Sequence, residues 1–235
     1  MHGRVEAWCA RSCRPASAID WTALRVQDFG APEAAVLAAE WAARAREEQV
    51  AMVAFERLGS ELADSGAAPA LVRAFARVVS DEAHHVELCR QVAAALGSPS
   101  VSEVPERLPR TDGRYPGRER AALALMGWIC VGESWSAAVF AHQLQNVTHP
   151  VLRAVEKEIL ADEVSHGRLG FAWLVDTWMT LPLSSRLLVE HLLPGMLLAL
   201  ERRQPASRRE LYDVTVNGRI VPELERAGVR VRRTK

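Results

Sequence analysis

Two short motifs carry the side chains of this sequence that are best suited to chemistry. Residues 82–85 and residues 163–166 both read Glu-x-x-His, and an aspartate, Asp81 or Asp162, directly precedes each motif. Residues three apart lie on one face of a helix, so the carboxylate and the imidazole of each motif can reach the same ion. Carboxylate and imidazole ligands together suit iron or manganese, whereas a structural zinc site more often uses thiolates.

Both motifs interrupt the apolar face of a predicted helix. Glu82 and His85 lie in an apolar series that steps by three and four through residues 71–96. The motif at residues 163–166 interrupts a similar series through residues 152–173. A buried carboxylate is unfavourable unless an opposite charge compensates it. Two such pairs at the same depth therefore predict a shared countercharge.

One glutamate also lies on the apolar face of each of the other two predicted helices. Glu133 is the only charged member of a largely apolar face that includes Met126 and Phe140. Glu48 lies in the apolar stripe of the first predicted helix, and the alternative, its neighbour Glu47, points about 100° away. Each predicted helix therefore contributes one inward glutamate, and the second and fourth each add a histidine.

Clusters of glycine and proline divide the chain into the long helical runs that must position these residues. Short links join the first run to the second and the third to the fourth, which predicts two antiparallel hairpins. The connector at residues 97–117 is long enough to run back along the molecule. We therefore expect an all-α fold, an antiparallel four-helix bundle with one long crossover. The predicted helices are Pro32–Asp64, Ala68–Leu96, Arg118–Val147 and Val151–Thr180.

The remaining residues lie before and after the predicted bundle. Residues 187–200 are predicted to form a helix that bends at Pro194. For residues 211–224 a helix is favoured over a β-hairpin, because a lone hairpin beside helices has little to pair with. The Asn-Gly pair at residues 217–218 is the signal for the hairpin alternative. The predicted parts are an irregular leader at 1–31, a di-metal domain at 32–180 and a mostly helical extension at 181–235.

Composition and charge limit the partners of the protein. The chain has 29 Lys and Arg and 29 Asp and Glu among 235 residues, so its formal net charge is zero. Nucleic-acid-binding proteins usually carry a basic excess, so we expect no nucleic-acid partner. No run of about 18 uninterrupted apolar residues and no signal-peptide pattern occurs, so we expect a cytoplasmic protein without a membrane partner. The four cysteines, of which only Cys9 and Cys13 are close in sequence, are too few for a disulfide scaffold or a rubredoxin-like module.

In the order and type of these residues, the region 32–180 resembles the ferritin-like di-metal carboxylate superfamily, which includes bacterioferritins, rubrerythrins and di-iron oxygenases. The resemblance implies a site for two iron ions, with manganese as the alternative, in which Glu82 and Glu163 bridge the ions. It also implies that Asp81 and Asp162 each hold the imidazole of the opposite helix, although pairing with surface arginines is an alternative for them. The implied ligands are Glu48, Glu82, His85, Glu133, Glu163 and His166, with Glu48 and Glu133 as terminal ligands.

The first functional hypothesis is a di-iron oxidoreductase that activates dioxygen or peroxide and acts on a small molecule. Its electron donor must be external, because the chain lacks a rubredoxin-like module. The alternative is a ferroxidase or iron-storage protein with Fe(II) as its substrate, which the roughly 55 residues beyond the bundle and the lack of an acidic excess disfavour. A scaffold that does not use metal is a third hypothesis. We expect a small homo-oligomer such as a homodimer.

Overall fold

Helices form nearly all of the regular structure in the residues that the computed structural model describes, 3–9, 19–98 and 117–232. These residues contain seven helices and no β-strand, which confirms the predicted all-α class. The first six helices are α1 (Arg4–Cys9), α2 (Ala31–Asp64), α3 (Pro69–Ala95), α4 (Gly117–Gln143), α5 (Pro150–Thr177) and α6 (Leu183–Arg203). The seventh, α7, consists of the consecutive segments Arg209–Tyr212, Asp213–Ile220 and Val221–Arg226.

Proline and glycine set the ends of the long helices. Pro32, Pro69 and Pro150 lie in the first turns of α2, α3 and α5, where the missing N–H leaves no helical hydrogen bond unmade. Helix α2 ends at a turn in which Gly66 has a φ of 72°, a left-handed conformation that favours glycine. Because this turn is short, α2 and α3 pack against each other as a helical hairpin. Most of the predicted crossover, residues 99–116, lies outside the described residues.

The four long helices enclose a common interior. Helix α2 packs against α3, α3 against α5, α5 against α4, and α4 against α2. Along α3, Val78 belongs to one apolar cluster and Cys89 to a second, and along α5 Leu169 and Ile159 are divided in the same way. Between the two clusters lies a polar layer of buried side chains. The polar layer consists of Glu48, Glu82, His85, Glu133, Glu163 and His166.

The N-terminal segment departs from the expected irregular leader, because it contains helix α1. Val5 and Trp8 lie three residues apart and are both buried, and α1 packs against α3 and α5. The indole Nε1 of Trp8 donates a hydrogen bond to the carbonyl oxygen of Ser165 at 2.9 Å, and the guanidinium of Arg77 lies 4.9 Å from the Trp8 ring centroid. Six residues are too few for a stable isolated helix, so these tertiary contacts determine the local structure. Cys13, in the same leader, lies outside the described residues.

The C-terminal extension is helical throughout α6 and α7. Helix α6 begins at Leu183, earlier than predicted, and contains Pro194 in its interior. Residues 213–220, where the sequence also permitted a hairpin, form a π-helical segment of α7. Val216 and Ile220 in this segment are buried in the same cluster as the long helices, and this packing favours the helix over the hairpin.

Two helices, α4 and α6, are long and apolar enough to cross a membrane by length and composition alone. Inside the protein, 56% of the apolar stretch of α4 and 22% of that of α6 are buried. Core helices of proteins that do not enter membranes meet the same criteria, so these two helices are weak evidence for a membrane. The expected absence of a membrane partner stays a prediction.

Candidate metal centre

Helices α3 and α5 each supply one carboxylate and one imidazole to the polar layer. Glu82 and His85 are buried on the inner face of α3, and Glu163 and His166 are buried on the inner face of α5. The three-residue spacing places each pair on one side of its helix. Because the two helices pack together, the ring centroids of the two histidines lie 6.2 Å apart.

Helices α2 and α4 each add one carboxylate. Glu48 is 7% exposed, whereas the neighbouring Glu47 is exposed, so the register of α2 is the one that the apolar stripe predicts. Glu133 is also buried and ends a π-helical stretch of α4, Leu125–Glu133. Wider π turns are frequent at functional sites. The sequence pattern did not reveal this one, because the apolar series through α4 fits an ordinary α-helix.

A first group of candidate ligands surrounds His85. The Nδ1 atom of His85 lies 3.6 Å from Glu82 Oε2, 3.8 Å from Glu48 Oε2 and 3.8 Å from Glu163 Oε1. One donor atom from each of these four residues lies within 4.8 Å of the others. Four oxygen and nitrogen donors from three helices can therefore approach one ion.

A second group surrounds His166 and shares a residue with the first. The Nδ1 atom of His166 lies 3.0 Å from Glu133 Oε2 and 3.2 Å from Glu82 Oε1. Donor atoms of these three residues also lie within 4.8 Å of one another. Glu82 therefore offers one oxygen to each group, which is the geometry of a carboxylate between two ions.

The outer nitrogens of both histidines face aspartates. His85 Nε2 lies 3.4 Å from Asp162 Oδ2, and His166 Nε2 lies 3.1 Å from Asp81 Oδ2. Each aspartate comes from the helix opposite its histidine. Asp81 is also 3.9 Å from Arg77 Nε, so it contacts both the imidazole and a surface arginine. A carboxylate at Nε2 orients the ring and leaves Nδ1 to act as a ligand.

Several buried donor atoms in the polar layer lack hydrogen-bond partners among the described residues. They are both carboxylate oxygens of Glu82, Nδ1 of His85 and Oε2 of Glu163. An unsatisfied buried polar atom costs about 1–3 kcal/mol, and more when it is charged. A divalent cation between these atoms would satisfy all of them at once. The residues therefore fit a metal, and donor sets of carboxylate and imidazole without thiolate suit iron or manganese.

The pKa values of the glutamates in the polar layer are shifted in different directions. Burial, together with the charge of Glu82, raises the pKa of Glu48 to about 7 against the opposing effect of His85. Burial and the neighbouring carboxylates raise the pKa of Glu163 well above its ordinary value. Burial would raise the pKa of Glu82 as well, but the neighbouring imidazoles of His166 and His85 outweigh burial and lower the pKa to about 2.

The two histidines carry raised pKa values in spite of burial. Burial alone would lower the pKa of His85, but Asp162 and the glutamates around it raise that pKa well above its ordinary value. Asp81 and the adjacent glutamates act on His166 in the same way. Without metal, the raised pKa values favour protonated imidazoles, whose charge would offset part of the negative charge of the layer as bound cations would.

A cavity of about 610 Å³ reaches the polar layer at Glu163 and is called the Glu163 cavity. This volume falls in the range of small-molecule sites. Its walls come from α1, α4, α5 and α7, and they include Arg4, Ala137, Ala138, Gly167, Arg168, Phe171, Thr215 and Arg219. The cavity could not be predicted from the sequence, because its walls come from four helices that meet only in the folded protein.

Two further buried glutamates on α5 were not predicted. Glu156 Oε1 lies 3.8 Å from Arg44 Nη1, and Glu158 Oε1 lies 2.7 Å from His84 Nε2. The side chain of His84 is 40% exposed. Both glutamates lie outside the two ligand groups, and each has a nitrogen-bearing side chain from another helix beside it.

Comparisons of the chain with protein-family models, curated proteins and solved structures found no match. The resemblance to the ferritin-like superfamily therefore depends on the motifs and on the geometry of the polar layer. The chemistry of the site has to be inferred from its donor atoms, their burial and the cavity beside them.

Proposed function

We propose that α2, α3, α4 and α5 form a ferritin-like four-helix bundle and that the polar layer binds two ions of iron or manganese. The ligand set of that class consists of one glutamate from each of two helices and a Glu-x-x-His motif from each of the other two. The arrangement of donor atoms into two groups that share Glu82 supports two ions rather than one.

The proposed ligands have different roles. Glu82 would hold both ions, because its two oxygens face different groups, and the resemblance implies the same role for Glu163. Glu163 also interacts with Glu133, which is consistent with a position between the groups. Glu48 and Glu133 are the terminal carboxylates, one in each group. The aspartates beside Nε2 of the two histidines keep the rings oriented and accept the outer N–H.

We propose that the protein is a cytoplasmic non-haem di-iron oxidoreductase, an oxygenase, oxidase or peroxidase, that receives electrons from an external donor. Iron held by these residues would supply electrons for the reduction of dioxygen or peroxide. The chain's own residues hold the donor atoms in place, and the apolar clusters on either side of the polar layer exclude bulk water. The observation that carries the proposal is the set of unsatisfied buried donor atoms in the polar layer.

The Glu163 cavity favours a small organic substrate over Fe(II). A pathway for a cation would need predominantly acidic or neutral polar walls, but the described walls are mainly apolar, and their three arginines outnumber their two glutamates, Glu163 and Glu223. The ferroxidase or storage alternative therefore has less support from the site than oxidation of an organic molecule.

The proposal is tested by anaerobic titration with Fe(II), followed by measurement of oxygen consumption with a chemical reductant. We expect about two Fe(II) ions per chain and oxygen consumption that depends on them. Glu82→Gln should remove most of the bound iron, because this residue serves both groups. Glu158→Gln is the matched control, since Glu158 is also a buried glutamate but pairs with His84.

Two results would contradict the proposal. The first is wild-type protein that binds well under one ion per chain, which would favour a scaffold without metal. The second is unchanged iron binding in Glu82→Gln. Size-exclusion chromatography tests the storage alternative, because a storage shell would have a far higher apparent mass than the expected small homo-oligomer.

A further inference from the structure

We propose that the Glu163 cavity binds a small organic carboxylate, with its apolar body against Glu163 and its carboxylate at the arginines on the exposed side. The inference rests on the proposed function only for the reaction of the bound molecule, which would require the metal ions. Binding itself depends on the walls of the cavity and can be measured without metal.

The inner walls of the cavity suit an apolar group. Ala137 is buried, and Leu160 and Phe171 are half-buried around the cavity. Helix α4 lies close to Gly167, because a Cβ atom added there would lie 2.9 Å from Ser134 Oγ. Few polar side chains line this region, and a polar ligand would leave its own hydrogen-bonding groups unpaired there.

The exposed side of the cavity is positively charged. Arg4, Arg168 and Arg219 line it and are all exposed. Arg219 Nε lies 3.7 Å from Glu223 Oε1, whereas Arg4 and Arg168 form no ion pair with the residues that the structure describes. Glu223 also lines the cavity and offsets the charge of Arg219, so Arg4 and Arg168 supply the positive charge of this opening. The planar guanidinium group binds carboxylates with two parallel hydrogen bonds, so an organic carboxylate fits this side.

The spacing of the charged and buried ends sets a minimum length for the ligand. Arg168 follows Glu163 by five residues on α5, which corresponds to about 7.5 Å along the helix axis. Because the two side chains also leave α5 about 140° apart, we expect a ligand that contacts both to need a body of several carbon atoms. Acetate has no such body, and we expect it to bind weakly.

The inference is tested by isothermal titration of octanoate, with 1-octanol and acetate as controls, into protein with and without Fe(II). We expect saturable binding of one octanoate per chain and at least tenfold weaker binding of either control. Arg168→Gln should weaken octanoate binding about tenfold and leave octanol binding and Fe(II) binding unchanged. Arg202→Gln, an exposed arginine on α6 outside the cavity, is the matched control and should bind octanoate like the wild type.

A variant of the wall tests the location independently of charge. Ala138→Trp should fill the cavity and abolish octanoate binding while the circular dichroism spectrum keeps its helical signal. Absent saturable binding, equal binding of octanol and octanoate, or unchanged octanoate binding in Arg168→Gln or in folded Ala138→Trp would each overturn the inference. Octanoate binding without Fe(II) binding would instead contradict the proposed function and leave this inference in place.

Discussion

Glu82 differs from the other three glutamates of the polar layer because both histidines lie beside it. His166 Nδ1 lies 3.2 Å from one of its oxygens and His85 Nδ1 lies 3.6 Å from the other. These contacts lower its pKa to about 2, whereas burial raises the pKa of Glu48 to about 7. At the scale of single residues, the charge of the layer therefore depends on whether a carboxylate contacts one imidazole or both.

The register of α2 leads to a prediction about adjacent residues. Glu48→Ala should lower the bound iron by roughly one ion per chain, because it removes a ligand from the group around His85. Glu47→Ala should bind iron like the wild type, because the Glu47 side chain is exposed. Metal analysis after anaerobic loading measures both. Iron loss in Glu47→Ala with normal binding in Glu48→Ala would contradict the site.

The sequence could predict the residues of the polar layer because each interrupts an apolar stripe, and a stripe can be read along one helix. It could not predict the burial of Glu156 and Glu158. Their partners, Arg44 and His84, come from other helices, so the compensation of their charge depends on packing. A buried charged residue can thus be predicted when it interrupts the apolar stripe of its own helix. It cannot be predicted when its burial depends on a partner from another helix.

Helices α4 and α5 approach each other closely where the polar layer ends. A Cβ atom on Gly170 would lie 2.9 Å from the backbone nitrogen of Cys130 and 2.9 Å from Ile129 Cγ2. The π-helical stretch of α4, Leu125–Glu133, runs past this contact and ends at Glu133. The sequence predicted the long helices within a few residues, because glycine and proline mark their ends. The π turns and helix α1 depend on tertiary contacts, which cannot be predicted from the periodicity of apolar residues along one helix.

Two glycine substitutions, one at the close approach of α4 and α5 and one in open space on α6, should change stability in opposite directions. Gly170→Ala should lower the free energy of unfolding by about 1–3 kcal/mol, because backbone atoms of α4 must move to admit the methyl group. Gly195→Ala in α6 should raise it by about 0.5–1 kcal/mol, because no atom lies within 4 Å of its added Cβ. Urea unfolding at fixed metal content measures both changes. Equal effects would mean that α4 and α5 do not meet as closely as described.

The molecule as a whole folds around a charged layer between two apolar clusters, and this makes its stability depend on pH. An unfolded glutamate titrates near 4.5, and folded Glu48 near 7. Between these values the folded state keeps a proton that the unfolded state has lost, so the free energy of unfolding falls as the pH rises. The histidines, whose pKa is raised from 6.5, continue this loss at higher pH. The lowered pKa of Glu82 acts in the opposite direction, but only between about 4.5 and 2.

The pH dependence predicts how metal changes thermal stability. Without added metal, the melting temperature should fall between pH 5.5 and pH 8. Fe(II) added under anaerobic conditions should raise the melting temperature more at pH 8, because its ligands must be deprotonated and bound metal stabilises the folded state by mass action.

Thermal melts at both pH values, with and without Fe(II), measure these effects. Protein with Glu82→Gln is the control and should show little response to the metal at either pH. A metal-induced shift of the same size at both pH values in the wild type would argue against carboxylates that face one another in a common core.

The walls of the Glu163 cavity come partly from α1 and α7, which lie outside the region that contains every candidate ligand. Arg168 and most of the other wall residues lie on α4 and α5, but the part of the wall that α1 and α7 supply is encoded outside the stretch with the candidate ligands. Randomised libraries restricted to Arg4 and to Thr215 and Arg219 would reshape the ligand pocket while the metal-binding residues stay untouched. Such a division would let one oxidative core be redirected to new molecules, in the laboratory or during evolution, through changes near the two ends of the sequence.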